Sequence, residues 1–156
     1  MSKRVDTASK VIRASTAQIY LAFATSSAME TWLPPEGMTA RLFAFEFREG
    51  GGYSMQLTYE EARHMPGKTS ANADEVEVRF IRLVPNDRIE QAVIFKSNDS
   101  AFEGEMKMTW ILEPRRDGTL VTVRCENVPS GISPEDHQAG LKSSLHNLAQ
   151  FAEGTP

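Results

Sequence analysis

Between Thr39 and about Asn127 apolar residues recur at every second position, and from Ser133 onward at every third or fourth. This change of period constrains the fold more than any other feature. Alternation puts one apolar face on a sheet, while the 3.6-residue period puts one apolar stripe on a helix. Phe43, Phe45 and Phe47 alternate with Ala44 and Glu46, and Gly50-Gly51-Gly52 turns the chain. Tyr53, Met55, Leu57 and Tyr59 then alternate with Ser54, Gln56 and Thr58, which predicts a hairpin with one apolar face. Residues 60–74 are polar and contain Pro66-Gly67, the pattern of a long loop. Strand signal runs from Val76 to Val84, breaks at Pro85-Asn86-Asp87, and returns from Ile89 to Phe95; Pro-Asn-Asp is favourable turn chemistry. Met106, Met108, Trp110 and Leu112 form another alternating run, and Asp117-Gly118 joins it to Val121, Val123 and Cys125. Asp-Gly between two such runs is a strong hairpin signal.

The two ends of the chain read differently. Residues 4–13 form a weakly alternating strand that ends at Ser15. Ser15-Thr16-Ala17-Gln18 has capping-box spacing, and the helix it starts carries Ile19, Tyr20 and Phe23 on one side. A second start at Ser27 predicts a short helix containing Trp32, stopped by Pro34-Pro35, since neither proline can donate to a helix ladder. At the C-terminal end, Ser133-Pro134-Glu135-Asp136 combines an N-cap serine, a proline at the first helical position and acids in the first turn. The stripe that follows is His137, Leu141, Leu145, Leu148 and Ala152, with Ser143, His146, Asn147 and Gln150 opposite and Gly154 just past the end. The expected fold is α+β: a strand, two short helices, six more antiparallel strands and a long helix. A sheet with one apolar face needs a cover, so a curled sheet of about seven strands wrapped round the last helix is the economical arrangement. No linker divides the chain, and residues 1–156 are read as one domain.

Composition narrows the chemistry. The net charge of −4 lacks the basic patch of a nucleic-acid footprint. No apolar run is long enough to span a membrane, and the N-terminal residues lack a signal-peptide core. The single Cys125 allows no disulfide framework, which fits a reducing cytoplasm. With three His and one Cys, metal and thiol chemistry is short of ligands. His137 and His146 are nine residues apart, about 180° round a helix, so they do not share an ion. Neither a metal nor another cofactor is expected. Pro66-Gly67-Lys68-Thr69-Ser70 contains the end of a phosphate-binding loop, but its first glycine position holds Ala62, and strand rather than helix follows. The triple glycine reads as a turn or bulge, and Cys125, on the apolar side of its strand, as a buried thiol.

Several motifs along nearly the whole chain carry a family resemblance. Ser15 to Tyr20 followed by Trp32-Leu33-Pro34-Pro35 resembles an opening helix pair. Arg48-Glu49-Gly50-Gly51-Gly52 resembles a strand-ending glycine turn, and Leu83 to Ile89 a central proline turn. The hairpin from Trp110 to Val123 and the helix through Gly140-Leu141 and Leu145-His146-Asn147-Leu148 complete the set. Together they resemble the START-like (Bet v 1-like, helix-grip) superfamily, in the bacterial branch related to the C-terminal domain of the activator of Hsp90 ATPase. The resemblance implies the helix-grip fold. Its members include small-ligand carriers, aromatic-polyketide cyclases and co-chaperone domains, so it implies function less sharply. The eukaryotic activator has a separate N-terminal Hsp90-binding domain, and nothing here precedes the first strand, so an Hsp90-type chaperone is not the expected partner.

The aromatic and methionine-rich face of the sheet admits two readings, a filled core or a cavity wall; Met, being adaptable, favours the second. His137 is either a satisfied surface histidine or a polar group at a cavity mouth. Tyr53, Tyr59 and Gln91 project inward among apolar neighbours, as polar groups do in small-molecule sites. The expected function is binding of a small apolar or amphipathic molecule between sheet and last helix. Its walls would be Phe47, Tyr53, Met55, Phe95, Met108, Trp110 and Leu141, its lid Trp32 with the loop at 60–74, and its polar anchor His137. One alternative is a cyclase-like or hydrolase-like enzyme with His137 as general base and Tyr53 or Tyr59 as donor. Another is an interaction domain, a co-chaperone relative or a homodimer, using an exposed edge strand.

Overall fold

The computed structural model describes residues 4–35, 37–59, 73–97 and 99–154. The expected long loop at 60–74 and its Gly-Lys-Thr motif lie almost wholly outside these residues, as does the side chain of Tyr59. In chain order the elements are β1 (Val5–Ile12), α1 (Thr16–Leu21), α2 (Ser26–Trp32), β2 (Met38–Glu46), β3 (Gly52–Tyr59), β4 (Ala73–Val84), β5 (Arg88–Phe95), a single 3-10 turn (Ser100–Phe102), β6 (Glu105–Arg115), β7 (Gly118–Glu126) and α3 (Pro134–Glu153). All strands join one antiparallel seven-stranded sheet in the order β1-β7-β6-β5-β4-β3-β2. The first strand returns beside the last, and β1 and β2 form the two edges.

The helix starts follow local chemistry. Ser15 and Gln18 form a reciprocal capping box. Helix α2 starts two residues earlier than the sequence suggests: Thr25, not Ser27, is the N-cap, and its hydroxyl accepts from the Ala28 N–H. Pro34 and Pro35 end α2, and α3 takes up the carbonyls left there. The Ser144 hydroxyl donates to Leu33 O at 2.7 Å, and Asn147 Nδ2 donates to Pro34 O at 3.0 Å. Asn147, expected on the solvent side of α3, is thus a tie between helices.

One strand departs from simple alternation. Ala44 has φ of 53° and sits in a β-bulge between Phe43 and Glu46. The bulge shifts the phase of β2: Leu42 is buried ahead of it, Phe45 and Phe47 pack on the core beyond it, and Phe43 is exposed. The even Phe43-Phe45-Phe47 face read from sequence is therefore corrected. At the β6–β7 turn, Gly118 has φ of +146° and lies against the backbone of Ile12 and Arg13, leaving no room for a Cβ. Beside it the buried Thr119 hydroxyl donates to Ala14 O at 2.8 Å, fastening the end of β1 to the hairpin.

The core is centred on Trp32, Trp110, Phe23 and Phe80, which are almost wholly buried. Phe23, Trp32 and Trp110 meet edge to face, with ring centres 4.9 to 5.5 Å apart, the arrangement aromatic quadrupoles favour. The Trp32 indole N–H donates to Ala22 O at 2.9 Å. The two short helices thus lock together onto β6. No helix among the described residues is long and apolar enough to cross a membrane.

Candidate functional site

The apolar faces of sheet and helix do not close on each other throughout. Between them lies a cavity of about 490 Å³ walled by β3, β4, β5 and β6, the end of α2 and its following turn, and the first half of α3. Pockets of roughly 300–1,000 Å³ hold small ligands. Five of the chain's 7 methionines line it: Met29, Met38, Met55, Met106 and Met108. Leu33, Leu57, Val76, Val78, Val93 and Ile132 add aliphatic wall. The polar lining is Tyr53, Gln91, Ser133, Asp136, His137, Ser143 and Ser144, and no Lys or Arg lines it among the described residues.

Of the side chains expected from sequence, Tyr53, Met55, Phe95, Met108, Trp110, His137 and Leu141 all lie on this one cavity. Trp32 and Phe47 do not. Trp32 is fully buried behind Trp110, a core position rather than a lid. The bulge turns Phe47 onto Tyr20 and Phe80, with ring centres 5.5 and 5.2 Å away. Gln91, read only as an inward polar residue, proves to be 2% exposed and on the cavity wall.

Strand pairing places Gln91 opposite Met108, Met108 opposite Cys125, and Cys125 opposite Asp6. One row across the sheet therefore runs from an amide to a carboxylate, three strand spacings or about 14 Å apart. At its far end Asp6 Oδ2 meets His137 Nδ1 at 2.6 Å and the Arg4 guanidinium at 2.9 Å. The side chains of Asp6 and His137 are only 11% and 13% exposed. Burial by itself would raise the Asp6 pKa, but hydrogen bonds from Arg4 and His137, together with their charges, outweigh it and hold the carboxyl below its usual range. With Nδ1–H donating to Asp6, Nε2 is the ring nitrogen left to meet a ligand.

Asp6 was not among the residues expected at the site. Its signal was present, since it falls in phase with the inward Ala8 and Ile12 of β1. Its partner, however, is 131 residues away. Elsewhere in the row, burial and the nearby Asp6 charge push the Cys125 thiol up to about 12, so it stays protonated and inert. Burial likewise raises the Tyr53 phenol, partly offset by the Gln91 amide, which keeps it a neutral hydroxyl. No group of three or more His, Cys, Asp or Glu able to hold a metal occurs among the described residues. A wider groove between β1 and the end of α3 is lined by Lys10, Arg13, Asp117, His146, Gln150 and Glu153. It is a charged surface trough in which Glu153 accepts from the Arg13 backbone N–H.

A curled seven-stranded sheet closed over a cavity by a long C-terminal helix defines a helix-grip domain. The sequence model of the Activator of Hsp90 ATPase homolog 1-like family matches residues 13–153, and the chain belongs to that family. No curated protein matches it. Among solved structures, a Chromobacterium violaceum protein is 29% identical over 96% of both chains, with a TM-score of 0.83. A Rhodobacter sphaeroides protein is 15% identical over 98% of this chain and 100% of its own, with a TM-score of 0.75. A Rhizobium leguminosarum protein is 17% identical over 99% and 97%, with a TM-score of 0.73. The last two share the fold alone.

Proposed function

We propose that the chain is one ligand-binding domain that holds a small apolar or amphipathic molecule between its sheet and α3. The observation that carries this is the cavity of about 490 Å³ with its methionine-rich lining. Unbranched, polarizable Met side chains adapt to the shape of what they enclose, and a void of that size left in a core is costly. The proposed wall is Tyr53, Met55, Phe95, Met108, Trp110 and Leu141, with His137 as polar anchor. The proposed setting is the cytoplasm, which the unpaired, buried thiol of Cys125 favours.

The test is a fluorescence titration of the full chain with naphthalene as an apolar probe. Saturable binding at one site is expected. Met108→Trp fills the cavity and should weaken it by at least about tenfold without loss of folding, since the added ring enters empty space. Affinity unchanged by Met108→Trp, or no saturable binding in the parent chain, refutes the reading.

The Asp6–His137 pair supports a second reading, an acid–base enzyme of cyclase-like or hydrolase-like type. A carboxylate on Nδ1 orients an imidazole and stabilises its protonated form, as in other catalytic pairs. In that reading His137 takes a proton from a substrate in the cavity and Tyr53, a neutral phenol, donates. It requires that His137→Gln abolish turnover while naphthalene affinity persists.

A further inference from the structure

Gln91 sits on the cavity floor where a hydrocarbon side chain would serve packing better. Its neighbours on the same face of β5, Ile89 and Val93, are both apolar and buried. Gln91 is 2% exposed, and its Oε1 has no hydrogen-bond partner among the described residues. An orphaned buried acceptor forfeits its bond to water and gains nothing in return, so natural interiors hold few of them. The Gln91 amide meets the buried Tyr53 hydroxyl through its N–H side, but that bond leaves Oε1 unpartnered. An acceptor left unpaired on a wall where its strand neighbours are apolar is explained by something that enters the cavity and donates to it.

We propose that the cavity's ligand is an uncharged, mainly hydrocarbon molecule bearing a hydroxyl, and that this hydroxyl donates to Gln91 Oε1. The proposal rests on the ligand-binding reading above and specifies the ligand's class. Three observations select a hydroxyl. Oε1 accepts only, so the ligand must bring a donor. The Tyr53 hydroxyl lies in the same buried patch beside the Gln91 amide, and a ligand hydroxyl, being donor and acceptor at once, can serve both groups. Finally, a carboxylate would set its oxygens against Oε1, no Lys or Arg lines the cavity among the described residues to balance it, and His137 is already paired with the Asp6 carboxylate. Charged groups that are desolvated without a partner bind poorly. Gln91 thus acts as a specificity residue, favouring hydroxylated over plain hydrocarbon or acidic ligands.

The experiment compares naphthalene, naphthol and naphthoate on the full chain and on Gln91→Leu and Gln91→Met. In the parent chain naphthol should bind about tenfold tighter than naphthalene, the scale of the net contribution of one hydrogen bond. Naphthoate should bind more weakly than either. Both variants should bind naphthalene at least as tightly as the parent does, with the advantage of naphthol gone. A parent chain that does not distinguish naphthol from naphthalene overturns the proposal, whether or not the variants fold. So does an advantage of naphthol that survives in either folded variant, or tighter binding of naphthoate. If naphthalene itself fails to bind, the ligand-binding reading falls as well, whereas naphthalene binding without preference for the hydroxyl removes this proposal alone.

Discussion

His137 Nδ1 lies 2.6 Å from Asp6 Oδ2, tying the first turn of α3 to the strand that opens the chain. The contact serves two ends at once. It anchors a side chain that lines the cavity, and it fixes which imidazole nitrogen is left for a ligand.

Removing the charge at Asp6 tests how much the tie stabilises. Asp6→Asn keeps the shape but loses the charge-assisted bonds to Arg4 and His137, which should cost about 1–3 kcal/mol in urea unfolding at neutral pH. Despite its burial, hydrogen bonds from Arg4 and His137 hold the carboxyl below the usual carboxylate range. Its contribution is therefore fully present above the usual carboxylate range and is lost as pH falls through the lowered folded value. Parent and variant should differ at neutral pH and converge in acid. A difference that persists unchanged to about pH 2 contradicts this assignment.

Trp32 distinguishes a core role from a lid. As a core residue packed edge to face against Phe23 and Trp110, its replacement by Ala should destabilise by about 3–5 kcal/mol. A lid residue would leave the unfolding midpoint almost unmoved and change ligand release instead. Equilibrium unfolding beside stopped-flow release of a bound probe separates the two.

The bulge at Ala44 holds an alanine at φ of 53°, a conformation that costs an L-residue roughly 1–2 kcal/mol. Glycine relieves that strain but adds freedom to the unfolded chain, about 0.5–1 kcal/mol in the other direction. Ala44→Gly should therefore stabilise slightly, by up to about 1 kcal/mol, and Ala44→Val should destabilise by more than that. Thermal melts that rank valine above glycine would contradict the left-handed geometry.

Cys125 should resist alkylation. Burial and the Asp6 charge push its pKa up to about 12, and the thiolate is the nucleophile. Iodoacetamide at about pH 8 should label it only after the chain is unfolded in denaturant. Rapid labelling of the folded protein would refute the buried, protonated thiol.

Much of this architecture was legible because it depends on local pattern. Ser133 with Pro134 marked the start of α3, Ser15 with Gln18 the start of α1, and the alternation around Met55, Met108 and Val123 the inward face. Two local readings failed where one residue changed the phase. Thr25 competed with Ser27 as N-cap and won. The bulge at Ala44 put Phe43 on the face opposite Phe45 and Phe47, since a one-residue insertion reverses the phase between the residues before it and those after it. Seven of the nine expected site residues met on one cavity because period-two alternation set the side of those on strands and the 3.6-residue stripe that of His137 and Leu141 on α3. Trp32 and Phe47 were misplaced because large aromatics look alike in sequence whether they line a void or fill one.

Periods, helix caps and turns are written along the chain, and with them the order of elements and the apolar face of each. These follow from interactions a few residues apart. Only the tertiary structure decided that the faces leave a cavity, that Asp6 meets His137 across 131 residues, and that Gln91 Oε1 is left without a partner among the described residues. Those outcomes depend on how a seven-stranded sheet curls round α3, and on what each inward polar atom finds at the end of that curl.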